Sequence, residues 1–251
     1  MTQPSRPTYA RLAGAGYLVI IATGIYAEFF VRSTLIVAGD PGATAAAISA
    51  SEPLFRSALA AELVMLVFDV LLAGALYVVF RAVSRSLSLT AAFFRLSHAA
   101  VVAPNLLLMY IPLLLIGRAA PVSATGGDPF HGLALTLLEA HGYGYAIGLV
   151  FFGVHCLLLG YLVLRSGYVP RALGWLLLVA GIGYLVDSFA RTLLVDYVDY
   201  ETVLTLVVFV PAFVAELSFA LWLLIRGVPP EEPTTAGSPC ALAPEDLTDA
   251  I

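Results

Sequence analysis

Asp69, Asn105, His155 and Glu216 are the residues of this chain best placed to do chemistry, because each stands inside a different apolar segment. A carboxylate at mid-membrane costs about 2.5–3.5 kcal/mol on insertion scales, so such side chains face a bundle interior and mark ion, proton or ligand sites. Two carboxyls, an imidazole and an amide could hold and pass a proton, or bind a cation or small solute. Asp69, His155 and Glu216 also make a weak candidate metal set, although residues on separate helices supply no diagnostic spacing. Interhelical hydrogen bonding, worth under about 1 kcal/mol per pair, is the structural alternative.

These positions need helices to carry them. Of 251 residues, 61% are hydrophobic and 12% charged, about half the charged share of a soluble domain. Mean hydropathy is +0.96. With about 20 apolar residues needed per crossing, the chain has room for little besides membrane helices. Apolar stretches run over about 12–30, 58–80, 91–116, 143–164, 172–193 and 203–225. The expected fold is an all-α polytopic transmembrane bundle of six spanning helices. Residues 1–9 form a short N-terminal segment, 10–226 the membrane domain, and 227–251 a disordered tail rich in proline and acids. The first stretch lacks a small-residue cleavage site and reads as an uncleaved anchor.

Orientation follows from arginine. Arg6, Arg11, Arg81, Arg85, Arg95, Arg165, Arg171 and Arg226 fall on one side, and Arg32, Arg56, Arg118 and Arg191 on the other. The excess places both termini in the cytoplasm of a cell whose inner membrane holds the protein. All 12 basic residues are arginine, which excludes a retinal Schiff base and a phosphate-loop lysine. No basic surface invites nucleic acid, so the partner is the lipid bilayer, with a small molecule or cation as candidate ligand. Cys156 and Cys240 lie in an apolar segment and a polar tail and are expected as free thiols.

Three descending helices end alike, with Tyr77 before Arg81, Tyr161 before Arg165 and Trp222 before Arg226. An aromatic four residues before an arginine anchors a helix at the headgroups. Counting 1.5 Å per residue from that plane puts Asp69 about 18 Å up and His155 and Glu216 about 15 Å up. With Arg95 taken as the surface residue of the third helix, Asn105 also rises about 15 Å. All four then share the midplane. Glu28, Glu62, Asp187 and Arg191 lie higher and form an outer vestibule, giving a polar chamber that opens outward. Apart from His155, no basic side chain is expected at the midplane, so protons, a metal or a cationic ligand would have to neutralise the acids.

Other features read more plainly. His98, about 5 Å above the arginine plane, is an interfacial residue, and its offset from His155 argues against a bis-histidine haem; no cofactor is expected. His131 and His141 belong to or border an outer loop, where residues 129–140 form a separate surface helix. Residues 43–51 form another, capped by Asp40. The acidic segment 196–201 is a solvated turn. Pro104 and Pro112 interrupt the third helix and Pro211 the sixth. Gly144 and Gly148 allow close helix packing. An acid precedes an arginine by four residues in both Glu28–Arg32 and Asp187–Arg191, close enough to pair along a helix.

Residues 24–32 (GIYAEFFVR), 51–56 (SEPLFR), 91–95 (AAFFR), 141–143 (HGY), 165–174 (RSGYVPRALG) and 183–189 (GYLVDSF) resemble the bacterial membrane family called domain of unknown function 4386. The resemblance spans about residues 9–226 and implies a multi-pass inner-membrane protein. It transfers no activity and no site residue.

Three functions stay open on the sequence. One is binding or transport of a small solute, proton or cation through the chamber. Another is an accessory or structural membrane protein without turnover. The third is a metal-assisted hydrolase or transferase acting on lipid, so an enzyme is the less favoured class.

Overall fold

The computed structural model describes residues 5–118 and 129–230. The expected tail lies outside the described residues from 231 onward, as do residues 1–4. Six helices are long and apolar enough to cross a membrane, and no strand occurs among the described residues.

The first span combines α1 (Arg6–Ile25), a π-helical segment (Tyr26–Arg32) and a short α2 (Ser33–Leu35). Pro7 occupies its first turn, where a missing N–H costs nothing. The short helix α3 (Pro41–Ala50) is capped as expected, the Asp40 carboxylate accepting from the Ala43 amide at 2.8 Å. The second span is α4 (Glu52–Phe80). The third combines α5 (Arg85–Asn105) and α6 (Leu107–Ile116). The fourth is α7 (Pro129–Ser166), the fifth α8 (Arg171–Leu193), and the sixth lies in α9 (Tyr197–Ile225).

Two boundaries differ from expectation. The third span starts at Arg85, not near residue 91, because the Ser84 hydroxyl caps it by accepting from the Leu87 amide. Residues 129–140 are the first turns of α7, not a separate surface helix, since His131, Ala134, Leu135 and Leu138 are buried against the bundle. The prolines also divide. The helix breaks at Leu106 beside Pro104, whereas Pro112 and Pro211 sit inside continuous helices.

Consecutive spans pack in sequence order around a ring, α1 against α4, α4 against α5, α5 against α7, α7 against α8, α8 against α9, and α9 back against α1. Small residues set the closest approaches. Gly153 and Gly160 on α7 face Gly181 and Gly174 on α8, and a Cβ at Gly160 would stand 2.8 Å from the Gly174 carbonyl oxygen. Gly14 meets the α9 backbone at Ala220 and Leu224 in the same way.

Polarity is distributed as a bilayer demands. On α4, Leu63, Val67 and Leu71 point outward at 57–60% exposure, while Glu62 and Asp69 on the same helix are 1% and 2% exposed. Lipid accepts the apolar face, and the ring interior must satisfy the carboxyls. The ring closes below them in an apolar plug that includes Val79, Phe80, Phe219 and Leu223. At that end Arg6 Nε and the Tyr168 hydroxyl both donate to the Val79 carbonyl, at 3.0 and 2.9 Å.

Candidate functional site: an outer cavity above a sealed ion pair

The ring interior holds two polar levels. At the deeper one, Arg95 on α5 is completely buried and its Nη2 donates to Asp69 Oδ1 on α4 at 2.5 Å. Its Nη1 reaches the Tyr17 hydroxyl and His155 Nε2, both at 3.3 Å, and its guanidinium lies over the Tyr17 and Phe152 rings. His155 Nδ1 stands 2.8 Å from the Ala91 carbonyl. A carbonyl only accepts, so Nδ1 carries the proton and Nε2 is left to accept from Arg95. His98 Nε2 completes the knot 3.7 Å from Asp69 Oδ2.

Two expectations are corrected here. Arg95 does not mark the membrane surface, because the helix begins ten residues earlier at Arg85, which puts Arg95 about 15 Å above that start. Counting from Arg85 brings it level with Asp69 and His155 and moves Asn105 about 15 Å higher. His98 is likewise 3% exposed inside the bundle, not interfacial.

The second level is higher. Arg32 bridges Glu28, four residues before it, and Glu62 on α4. Glu28 and Arg32 both belong to the π-helical segment that ends the first span. His141 on α7 places Nε2 3.6 Å from Glu62 Oε2, too far for a good hydrogen bond, and neither atom has another partner. Asn105 belongs to this level and donates through Nδ2 to the His141 carbonyl at 2.9 Å. Gly144 makes the room, since a Cβ there would overlap the Asn105 amide. His131 and His141 are therefore buried helix residues, at 7% and 3% exposure, not loop histidines.

Across the ring, Tyr197 ties α8 to α9. Its hydroxyl donates to Asp187 Oδ1 at 2.8 Å and accepts from Arg191 Nη2 at 3.0 Å, and Arg191 also pairs with Glu201 at 2.9 Å. Burial is the main reason the Tyr197 phenol is pushed up to about 12, with the hydrogen bond to Asp187 adding to it and Arg191 opposing. The segment 196–201 is accordingly a tethered helix start and not a solvated turn. Asp187 and Arg191 meet through Tyr197, unlike Glu28 and Arg32, which pair directly.

Between these groups lies a cavity of about 780 Å³. Its mouth carries the exposed Glu28 and Glu139 and the half-buried Glu201, its walls Arg32, Glu62, His141 and Arg191, and its floor Glu216. Glu28, Glu62, Asp187 and Arg191 thus all border one space. Of the four residues expected at one level, only Glu216 does. Its Oε1 accepts from the Tyr184 hydroxyl at 2.7 Å, and it lies within electrostatic reach of Arg95 and Asp69. Asp69 and His155 are held in the Arg95 knot, and Asn105 braces α5 against α7. The three proposed metal ligands do not converge, and no group of three or more His, Cys, Asp or Glu able to hold a metal forms among the described residues.

The expected shortage of midplane base is corrected as well. Arg95 neutralises Asp69, so Glu216 is the midplane acid without a cation in contact among the described residues. Sequence reasoning missed Arg95, His98 and His141. The Ser84 cap was the available signal for the first two, because it moves the helix start and with it every depth on α5.

Comparison with known proteins places the chain. The family model described as Domain of unknown function (DUF4386) matches residues 12–227. An uncharacterised protein of Archaeoglobus fulgidus is 30% identical over 165 residues, covering 65% of this chain and 79% of the relative. No solved structure matches. The chain belongs to the family of domain of unknown function 4386.

Proposed function

We propose that this member of the family is a solute-binding membrane protein, a receptor or carrier that admits a small solute or cation to its chamber from outside, with a proton as the candidate coupling ion. The observation that carries this reading is the cavity, which runs from exposed carboxylates to buried Glu216 and is lined by Glu62 and His141, whose Oε2 and Nε2 atoms face each other at 3.6 Å. Ligand sites commonly enclose about 300–1,000 Å³ and combine apolar walls with a few convergent polar groups.

Arginine bias supports an inner-membrane location with both termini cytoplasmic. Setting aside Arg95, Arg32 and Arg191, which serve the interior, leaves most remaining arginines on the side of Arg6 and Arg226. The described chain ends meet at that side of the bundle, where Arg6 reaches Val79 and Gly227 adjoins Arg11. The cavity then faces out.

An experimental map of the protein in lipid nanodiscs tests the reading. Density for a solute, ion or ordered water touching Glu216 or Glu62 supports it. Acyl chains filling the whole space, or α1 collapsed onto α8, removes it.

A further inference from the structure

Building on that reading, we infer that the cavity's ligand is an organic ammonium ion, with its charged nitrogen on Glu216 and its carbon skeleton against the apolar and aromatic wall.

Charge decides the sign. Six carboxyl residues border the cavity, namely Glu28, Glu62, Glu139, Asp187, Glu201 and Glu216, against two arginines. Both arginines are already committed, Arg32 to Glu28 and Glu62, and Arg191 to Glu201 and the Tyr197 hydroxyl. An anion would find no free guanidinium and would pay for repulsion at low dielectric. A cation meets at Glu216 an acid whose hydrogen-bond partner is the neutral Tyr184 phenol.

Chemistry then separates an organic cation from a bare metal ion. Calcium takes six to eight oxygens and magnesium an octahedron of them. Glu216 instead holds the Tyr184 hydroxyl, and the same cavity is lined by Phe213, Met65 and Ile20. One carboxylate beside aromatic faces suits an alkylammonium, which needs one counter-charge and gains from ring quadrupoles. The second polar contact is fixed too. Glu62 and His141 line the same cavity, and Glu62 lies seven residues, about 10 Å, above the Asp69 level on α4. A ligand of that length reaches from an ammonium at Glu216 to a polar group beside Glu62 and His141.

The experiment uses the full chain, purified and reconstituted in nanodiscs, with three probes of one shape, benzylammonium, benzyl alcohol and phenylacetate, titrated by calorimetry. Benzylammonium is expected to bind more tightly than the other two. The preference should fall at least about tenfold in Glu216→Gln, the loss of one charge-assisted contact. Gly24→Phe is the second variant. Gly24 borders the cavity and an added Cβ meets only Met65 Sδ at 3.9 Å, so the ring fills the space without disturbing the helix; binding should be abolished. Tighter binding of phenylacetate or benzyl alcohol, itself lost in Gly24→Phe, overturns the ammonium assignment and leaves the solute reading standing. Heats that are identical for all three probes and unchanged in Gly24→Phe overturn both.

Discussion

Arg95 and Asp69 face each other at 2.5 Å across α4 and α5, with both side chains closed to solvent. The pair divides the polar interior in two. Beneath it lies the apolar plug of the ring, and from its own level upward the space that Glu216 borders. A charge placed here is tolerable only because its counter-charge is fixed in hydrogen-bond contact, which makes the pair a structural joint between two helices.

Removing one partner should therefore be worse than removing both. Arg95→Gln or Asp69→Asn is expected to cost about 3–5 kcal/mol by leaving an uncompensated charge. The double variant should recover much of that loss. Thermal unfolding in detergent of the two single variants and the double variant checks the cycle, and additive losses would mean that the pair does not couple the helices.

Close packing of α7 on α8 gives the next expectation. Gly160→Val should destabilise by about 1–3 kcal/mol, because the branched side chain must displace the Gly174 backbone. Gly74→Ala, whose Cβ meets nothing within 4 Å, should leave the unfolding temperature unchanged or slightly raised.

Tyr197 should make stability fall at high pH. In the folded protein its phenol keeps its proton up to about 12, against an ordinary value of 10.0. The folded state then binds more protons than the unfolded one across that interval, so the contribution is complete below about pH 10 and is lost as pH rises towards 12. Tyr197→Phe should flatten this part of the profile, measured by denaturation between pH 9 and 12. A slope as steep as in the parent would assign it to other groups.

The fold was largely legible because helices in lipid must satisfy their own backbone and show apolar faces. Six spans, the Asp40 cap and the three arginine endings all follow from local sequence. The site was legible in part. Glu28, Glu62, Asp187 and Arg191 border one cavity because depth alone groups them. Arg95 escaped because arginine inside a bundle looks, in sequence, like arginine at a surface; only its partner Asp69, 26 residues away in the chain, distinguishes the two. The error then propagated, since Asn105 was placed from Arg95. His141 escaped because residues 129–140 carry a surface helix's signature while continuing into α7. Four of the six family-like segments supply these contacts: GIYAEFFVR carries Glu28 and Arg32, AAFFR carries Ala91 and Arg95, HGY carries His141, and GYLVDSF carries Tyr184 and Asp187.

Thiol accessibility tests the outward-opening cavity most directly. Cys156 is 1% exposed beside the sealed level and serves as the internal control. In a Cys240→Ser background, a membrane-impermeant thiol reagent added from outside should modify Glu62→Cys and Glu216→Cys and leave Cys156 untouched. Modification of Glu62→Cys without Glu216→Cys, or of Glu216→Cys only from the cytoplasmic side, would contradict a chamber that opens outward and ends on Glu216.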